Sequence, residues 1–255
     1  MQFNTNKQLI CVSTDEVYIH YLVSFLRSIQ RFNSNYTIFC RLVNVISRPP
    51  DYKNVEYIID NTKLSTERKF IKNQGGAHSH TFSADLKTLT GIRNTASLMY
   101  SEQAAYTCHS RFKNIIHLLD SDCDNILSLD VDTIVRRDIS ELFKQVDFDI
   151  GVISENLSGE EHLFMNEGLI LLNNTRRTRS FFTDVHDVIF SDDTFTDWDA
   201  DSRALQSVYD RSSLRVKTLP KSYKCKQHLQ DSHMWSGDGV NKDKLSFTNE
   251  INNIR

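Results

Sequence analysis

Glycine and proline are scarce in this sequence, with 8 Gly and 3 Pro among 255 residues. Their scarcity excludes collagen-like, linker-rich and glycine-rich repeat architectures, so turns must rely mostly on Asn, Asp and Ser. No charge of one sign dominates either, because 30 Lys and Arg face 33 Asp and Glu. A chain without a basic excess lacks the field that holds a nucleic-acid backbone, and nucleic acid is therefore not an expected partner.

Long apolar runs and paired cysteines are also missing. No run approaches the roughly 20 residues of a membrane span, and the first residues lack the basic and apolar segments of a secretory signal. The five cysteines are widely spaced without a CxxC pair, a pattern typical of reduced thiols in a cytosolic protein. We therefore expect a soluble, cytoplasmic protein without a membrane span.

Core-building residues are abundant, and their spacing predicts both strands and helices. Hydrophobic residues make up 39% of the chain, which includes 15 Phe and 9 Tyr. Apolar β-rich runs predict strands at residues 9–12, 36–46, 55–59, 126–135, 150–154, 168–172 and 214–219. Apolar spacing of three and four residues predicts helices at 18–32, 97–119, 179–190 and 201–209. This order predicts an α/β fold, with an open, mixed and mainly parallel sheet flanked by helices.

Two aspartates, Asp130 and Asp132, lie within the predicted strand 126–135. Side chains two residues apart on a strand lie on one face, so both carboxylates can share a hard cation while Val131 points into the sheet. The pair is predicted at the carboxyl end of a central strand, where open α/β sheets bind ligands. The alternative is two ordinary polar residues where a strand ends at the surface, which describes most isolated Asp-x-Asp sequences.

The segment 111–138 resembles the helix and metal-binding Asp-x-Asp strand of nucleotide-sugar glycosyltransferases of the GT-A fold. Residues 12–18 resemble the first strand and base-binding turn of this family, and residues 164–173 its Asn-x-Gly strand beneath the donor sugar. Residues 233–242 resemble its late segment with a metal-ligating His and a phosphate-binding Gly and Lys. The chain is most similar to the glycogenin and bacterial lipopolysaccharide galactosyltransferase group and its viral relatives, over roughly residues 8–244.

The resemblance implies roles for individual residues, each beside a plainer alternative. It implies that Mn²⁺ or Mg²⁺ binds to Asp130, Asp132 and His233, although a single His is as often a surface or packing residue. It implies donor contacts from Ser13, Thr14, Tyr18, Arg111, Asn166, Gly168, Gly237 and Lys242. The plainer roles are helix capping for Ser13 and Thr14, core packing for Tyr18, and solvated charges for Arg111 and Lys242.

Asp201 stands where the family carries an Asp before a helix, but Ser202 follows it instead of the Gln of many relatives. The resemblance implies that Asp201 is catalytic together with Asp130 and Asp132, binding hydroxyl groups of the donor sugar. The plainer role for Asp201 is a helix N-cap. The late His motif also departs from the family, because it is stretched and lacks Pro-Trp after Lys242.

The resemblance implies a metal-dependent glycosyltransferase in a single domain over 1–255, with a nucleotide-binding half at 1–135 and a sugar and acceptor half at 136–255. The implied donor is a nucleotide diphosphate sugar, UDP-linked first, and the implied acceptor is a hydroxyl of a glycan, with anomeric retention. We expect the acceptor beside the polar loop 61–96, and the host cytoplasm as location if the protein is viral. Two other functions stay open: a haloacid-dehalogenase-like phosphatase, which also uses Asp-x-Asp after an apolar strand, and a non-catalytic nucleotide-sugar-binding module.

Overall fold

A seven-stranded mixed sheet forms the centre of the protein in a computed structural model, which describes residues 7–32, 35–70, 99–145, 147–154, 165–191, 196 and 200–254. The strands are β1 (Gln8–Asp15), β2 (Thr37–Val43), β3 (Val55–Asp60), β4 (Arg68–Phe70), β5 (Met99–Ser101), β6 (Asn125–Leu129), β7 (Thr133–Val135), β8 (Ile150–Ser154), β9 (Met165–Asn173), β10 (Val216–Thr218) and β11 (Met234–Ser236). The helices are α1 (Ile19–Gln30), α2 (Glu102–Leu119), α3 (Ser140–Phe143), α4 (Arg176–Phe190), α5 (Ala200–Tyr209) and α6 (Leu245–Ile254). Two 3₁₀ helices lie at Lys221–Tyr223 and Gly239–Asp243.

The directions of the strands decide which residues meet at one edge of the sheet. The order across the sheet is β10-β8-β9-β6-β1-β2-β3, and neighbours are parallel except that β9 runs antiparallel to both β6 and β8. The first part of β9 therefore lies beside the end of β6, with Leu169 opposite Leu129. The structure confirms the predicted α/β fold with an open mixed sheet.

Both faces of the sheet are buried, as the alternation along β1 shows. Ile10 and Val12 belong to the core cluster on the α1 side, whereas Leu9 and Cys11 belong to the cluster on the side of α2 and α4. Successive side chains of a strand point to opposite faces, so a strand covered on both faces needs an unbroken apolar run. A third, smaller cluster forms around Trp235, where β11 meets α6.

The first strand and helix have different bounds from those predicted. β1 continues to Asp15 instead of ending at residue 12. α1 ends at Gln30, so Phe32, which was predicted on its apolar stripe, lies outside the helix and is 43% exposed. The apolar spacing continues past the end of the helix, and spacing alone does not show where a helix stops.

α2 begins at Glu102, five residues after its predicted start at 97. Residues 99–101 instead form β5, which pairs with β4. The Oγ of Ser101 accepts the N–H of Ala104 at 3.1 Å and caps the helix. The helix start is therefore set by a capping side chain that the apolar pattern does not mark.

The strand predicted at 126–135 is two strands, β6 and β7, with Asp130 and Asp132 in the turn between them. β7 pairs with β11, and neither β11 nor α6 was predicted from the sequence. Most of the loop predicted at 61–96, including His78 and His80, lies outside the described residues.

All five cysteines are free thiols, as the sequence predicted. Within the described ranges, no helix combines the length and apolar character that crossing a membrane requires.

Candidate functional site

The turn between β6 and β7 carries Asp130 and Asp132. β6 ends at Leu129, so the prediction that strand geometry places both carboxylates on one face is wrong. The turn is nevertheless fixed, because the N–H of Asp130 donates to the carbonyl oxygen of Gly168 at 3.1 Å and Val131 is buried in the core. The pair lies at the carboxyl edge of the parallel strands, where α/β sheets bind ligands.

Three cationic side chains surround the two carboxylates. Nη2 of Arg111 donates to Oδ1 of Asp130 at 2.8 Å, and Nζ of Lys224 lies 3.5 Å from Oδ2 of the same residue. Nζ of Lys242 lies 3.4 Å from Oδ2 of Asp132. The side chains of Arg111 and Lys224 are 8% and 6% exposed, so salt in the solvent screens their ion pairs only weakly.

The two aspartates have opposite electrostatic environments. Burial by itself would raise the pKa of Asp130, but Arg111 and Lys224 outweigh burial and hold this pKa below its usual range. Burial and then the charge of Asp130 raise the pKa of Asp132, and Lys242 offsets them only in part. Asp132 is therefore the carboxylate whose charge an added cation would relieve.

Gly168 gives Asp130 and Lys224 the space for their ion pair. A Cβ at this position would lie 1.9 Å from Nζ of Lys224 and 2.1 Å from Oδ2 of Asp130, far inside van der Waals contact. The resemblance implied that the donor sugar approaches at this glycine, and in the structure this ion pair occupies the space over it. A contact between Gly168 and a donor stays a prediction.

Lys242 lies against Tyr18, which precedes α1. Nζ of Lys242 donates to the Tyr18 hydroxyl at 3.0 Å and lies 4.6 Å from the centroid of its ring. The N–H of Gly237 donates to the carbonyl oxygen of Asp132 at 2.8 Å, and a Cβ at Gly237 would lie only 3.0 Å from that oxygen. The structure therefore brings Tyr18, Gly237 and Lys242 together at Asp132.

Ser13 and Thr14 lie at the end of β1, but neither caps α1. The Asp15 carboxylate instead accepts two backbone N–H groups of the following turn, at 3.0 and 3.1 Å. Thr14 has no exposed surface, and Oγ of Ser13 accepts from Nδ2 of Asn114 at 3.2 Å. The capping alternative is therefore wrong, and donor contacts from these two residues stay a prediction.

A second buried pair joins α2 to α5 near Arg111. Oδ1 of Asp201 lies 3.6 Å from Nε2 of His109, and their side chains are 5% and 0% exposed. Asp201 is the second residue of α5, so the N-cap alternative is wrong. Burial would raise the pKa of Asp201, but His109 and Arg111 keep it below its usual range. His109 was not predicted as a site residue. The sequence indicates it only by its position on the face of α2 that is buried.

His233 is not brought to the aspartate pair. Its ring stacks on Tyr223 with 4.3 Å between centroids, and its carbonyl oxygen accepts the N–H of Arg136 at 2.8 Å, at the opposite end of the β7 and β11 ribbon from Asp132. The extended segment from His233 to Gly237, which does contact Asp132, spans about 13 Å. This geometry does not support His233 as a ligand of a metal on Asp130 and Asp132.

Asn166 was predicted as a site residue and Lys224 was not. Asn166 lies on β9 opposite Ile153, and its side chain is outside the described part of the chain. Lys224 was missed, because its contact with Asp130 joins residues 94 positions apart and nothing in the local sequence marks it.

The donor atoms of Asp130 and Asp132 are hard oxygens, which Mg²⁺ and Mn²⁺ bind. In the part of the chain that the structure describes, no group of three or more His, Cys, Asp and Glu side chains is arranged to hold a metal ion. Two carboxylates suffice for a cation that completes its coordination with ligand phosphates and water, as Mg²⁺ usually does. The residues present therefore fit a cation that binds together with a phosphate ligand.

Three solved structures that share this fold are glycosyltransferases. The galactosyltransferase LgtC, in complex with donor and acceptor sugar analogs, has a TM-score of 0.51 and 12% identity, over 96% of this chain and 95% of that one. A glycosyltransferase involved in glycosylation of the major capsid of PBCV-1 has a TM-score of 0.54 and 11% identity, over 97% and 98%. The apo-form glycosyltransferase GlyE of Streptococcus pneumoniae TIGR4 has a TM-score of 0.53 and 13% identity, over 98% and 63%. The fold is therefore that of a GT-A-like glycosyltransferase.

A family model described as nucleotide-diphospho-sugar transferase matches residues 67–244, more than two thirds of the chain. The chain belongs to this family and is a glycosyltransferase, as its resemblance at the sequence level implied. No curated protein sequence matches the chain. The family assignment excludes the alternative of a haloacid-dehalogenase-like phosphatase.

Proposed function

We propose that the protein transfers a sugar from a UDP-sugar, bound with Mn²⁺ or Mg²⁺, to a hydroxyl group of a glycan, with retention at the anomeric carbon. One observation supports this most: two carboxylates and three cations meet at the carboxyl edge of the sheet, at Asp130 and Asp132. Carboxylates bind a divalent cation, and ammonium and guanidinium groups bind phosphate oxygens. The combination suits a donor that brings a diphosphate and a metal ion together.

In the proposed reaction, the bond between the anomeric carbon and the diphosphate oxygen breaks, and the acceptor oxygen bonds to that carbon. Asp130 and Asp132 would hold the metal ion, which supplies positive charge to the leaving diphosphate. Arg111 and Lys242 would donate hydrogen bonds to the diphosphate, and they stabilise the negative charge that grows on it as the bond breaks. Asp130 already holds the side chain of Arg111, and Tyr18 already holds that of Lys242. Orienting the two side chains toward the diphosphate therefore costs less free energy.

The surroundings of Asp201 do not suit it to act as the base of an inverting reaction. An inverting transferase needs a base that reaches the acceptor hydroxyl. Asp201 is 5% exposed, its Oδ1 accepts the N–H of Ser202 at 2.9 Å, and it pairs with His109, so it is a poor candidate for that base. In the retaining reaction that we propose, the departing diphosphate accepts the proton of the acceptor hydroxyl.

A donor panel tests this function. Nucleotide diphosphate sugars that differ in base and sugar are mixed with the protein with and without Mn²⁺, and the melting temperature and the release of nucleoside diphosphate are recorded. We expect a UDP-sugar to raise the melting temperature only when Mn²⁺ is present, and to be hydrolysed slowly or transferred. Asp130→Asn should abolish both effects, whereas Asp122→Asn at an exposed aspartate should abolish neither.

The panel also separates the proposed enzyme from a binding module. Metal-dependent donor binding without release of nucleoside diphosphate, with every glycan acceptor tried, would support a non-catalytic nucleotide-sugar-binding protein. If a donor with another base raises the melting temperature instead, that base replaces uridine in the proposal. The proposed reaction then stays the same.

A further inference from the structure

The ring of His228 lies between two aromatic side chains of the third cluster. Only 5% of His228 is exposed, and its ring stacks on Trp235 and on Phe247, with 5.2 Å between centroids in each contact. Its backbone takes the left-handed conformation, with a φ of 58°, which is uncommon for a residue other than glycine. The fold therefore holds this ring in one place against a conformational cost.

Both ring nitrogens of His228 have partners, and these partners decide where its proton lies. Nε2 lies 2.9 Å from the carbonyl oxygen of Ser236, and Nδ1 lies 2.9 Å from Oγ of Ser246. Burial outweighs the hydrogen bond to Ser236 and holds the pKa of His228 below its ordinary value of 6.5, so the ring is neutral at neutral pH. A neutral imidazole has one N–H, and a carbonyl oxygen can only accept. Nε2 therefore donates to Ser236, and Nδ1 accepts from the hydroxyl of Ser246.

These two contacts lie at the two ends of the segment that carries Lys242. Ser236 ends β11, Ser246 is in the first turn of α6, and the 3₁₀ helix Gly239–Asp243 lies between them. The N–H of Lys242 donates back to the carbonyl oxygen of Gly237 at 3.1 Å. One imidazole ring therefore joins the start of this segment to its end.

The contact with Ser236 reaches Asp132 through a single peptide unit. The carbonyl of Ser236 and the N–H of Gly237 belong to the same planar trans peptide, so they point in opposite directions. The carbonyl accepts from His228, and the N–H donates to the carbonyl oxygen of Asp132 at 2.8 Å. Rotation of this peptide would break both hydrogen bonds together. His228 therefore fixes the orientation of the peptide that holds the backbone of Asp132.

We propose that His228 is a positioning residue of the donor site, which holds the Asp132 backbone and the Lys242 ammonium in the places where a cation and a diphosphate bind. The proposal rests on the proposed function and adds to it a residue that acts through other residues. The Lys242 ammonium lies 3.4 Å from Asp132, so a displacement of the segment moves the two groups relative to each other. Without the ring, both groups gain freedom, and ordering them when a ligand binds weakens its binding.

Two amide side chains separate this role from a role in stability alone. The amide nitrogen of Gln reaches about as far as Nε2 of His, and that of Asn only as far as Nδ1, so His228→Gln keeps a donor for Ser236 and His228→Asn does not. Asn adopts the left-handed conformation more readily than Gln, so His228→Asn should have the higher melting temperature of the two. Its affinity for inorganic pyrophosphate with saturating Mn²⁺, measured by calorimetry, should nevertheless fall about tenfold. The affinity of His228→Gln should stay within about threefold of the wild type.

Ile251→Ala is the control for lost stability, because Ile251 is buried in the same third cluster on α6. It should lower the melting temperature and change pyrophosphate affinity by less than about twofold. Ser246→Ala is a milder test, because Ser246 is exposed and its hydroxyl holds only one end of the segment. This variant should bind pyrophosphate about threefold more weakly, whereas Thr248→Ala, also exposed on α6, should bind it as the wild type does.

The order of the affinities decides the outcome. Affinities that are equal in the two His228 variants, or that follow their melting temperatures, would show that His228 supports only the fold and would overturn the proposal. Wild-type affinity in a folded His228→Asn variant would overturn it too. If neither His228 variant folds, the comparison of Ser246→Ala with Thr248→Ala decides, and equal affinities there reject the proposal. If the wild type itself binds no pyrophosphate with Mn²⁺, the proposed function fails as well.

Discussion

Asp201 and His109 form a side-chain pair that is almost completely shielded from solvent, with 3.6 Å between Oδ1 and Nε2. The pair fastens the first turn of α5 to the middle of α2, next to Arg111. Because α2 also supplies Arg111 to Asp130, the position of α5 is tied to the geometry of the carboxylate cluster. Asp201 therefore acts at least as a positioning residue, whether or not it reaches a donor sugar.

Asp201→Asn should destabilise the fold at neutral pH. Removing the Asp201 carboxylate takes away the buried negative charge that faces His109, and we expect the free energy of unfolding to fall by about 2–4 kcal/mol. The pKa of Asp201 is lowered in the folded protein, so its contribution is present above the ordinary carboxyl pKa of 3.8 and is lost as pH falls through the lower folded value. Urea unfolding should show the gap between wild type and variant closing below pH 3.8.

The matched test on the partner helix uses two histidines of α2. His109→Ala should destabilise the protein by a similar amount, whereas His117→Ala, at an exposed position, should change it by less than about 0.5 kcal/mol. Equal effects of the two substitutions would show that the contact between Asp201 and His109 contributes nothing specific to stability.

Asp130 and Asp132 should respond in opposite directions to the same substitution. Asp132→Asn removes a carboxylate whose pKa is raised by burial and by Asp130, and should stabilise the metal-free protein by about 1–2 kcal/mol at neutral pH. Asp130→Asn leaves Arg111 and Lys224 without their carboxylate, and should destabilise it by about 2–4 kcal/mol. Both should abolish Mn²⁺-dependent donor binding.

The gain from Asp132→Asn has a defined pH dependence. A carboxylate with a raised folded pKa contributes stability below its unfolded pKa, and this contribution is lost as pH rises through the folded value. The wild type should therefore lose stability relative to the variant between pH 3.8 and about 6, and the difference should be constant above that range. A difference that shrinks as pH rises would contradict the assigned repulsion between the two carboxylates.

Gly168→Ala should damage the site more than the fold. The added Cβ pushes against Lys224 and Asp130, and we expect weaker Mn²⁺-dependent pyrophosphate binding together with a loss of about 1–3 kcal/mol in stability. Gly151→Ala on β8 is the control, because the atoms nearest to its Cβ would belong to the side chain of Leu219, the first at 3.0 Å. That variant should lose some stability and keep wild-type binding, as measured by calorimetry on the folded fraction.

His233→Ala tests the one residue that the sequence assigned to the metal and the structure places elsewhere. The substitution removes the stack on Tyr223 and the contact of its Nδ1 with Oγ of Ser222 at 3.1 Å, so stability should fall by about 1 kcal/mol. The affinity for Mn²⁺ should stay within about twofold of the wild type, because the aspartates are distant. A large loss of Mn²⁺ affinity would show that His233 does bind the metal ion.

Lys242→Ala should weaken binding of a nucleoside diphosphate about tenfold and leave binding of the nucleoside unchanged, because the Lys242 ammonium contacts only the phosphates. Tyr18→Phe keeps the ring under that ammonium and removes the hydroxyl that accepts from it at 3.0 Å, so its effect should be smaller. Isothermal titration calorimetry with each ligand measures how far each variant's affinity falls below that of the wild type. Equal losses for nucleoside and diphosphate would place Lys242 against the base or the ribose instead.

Local patterns in the sequence were sufficient to predict the strands of the central sheet and the helices that flank it. The run at β1 is unbroken because both of its faces are buried, and the stripe of α1 recurs at helical spacing because one face is buried. β11 was missed because it has only three residues and pairs with an equally short β7. The break between β6 and β7 was missed because the buried Val131 continues the apolar pattern through the turn.

The site was less accessible to sequence reasoning than the fold. Asp130, Asp132, Gly237 and Lys242 were identified because they lie in motifs that resemble a family, and the structure brings them together. Lys224 has no motif, and its place in the site depends on the path of the chain after α5 and on the absence of a side chain at residue 168. Such contacts depend on three-dimensional packing, which a single sequence does not reveal.

The hydrogen bond from Lys242 to Tyr18 joins residues 224 positions apart, almost the full length of the chain. During synthesis, the first strand and helix emerge long before Lys242 does, and a partly made chain therefore lacks the complete cluster around Asp132. Contacts of such high sequence separation form slowly, because ordering the intervening chain precedes the gain from the contact. The capacity to bind a diphosphate should consequently be among the last properties that a newly synthesised chain acquires.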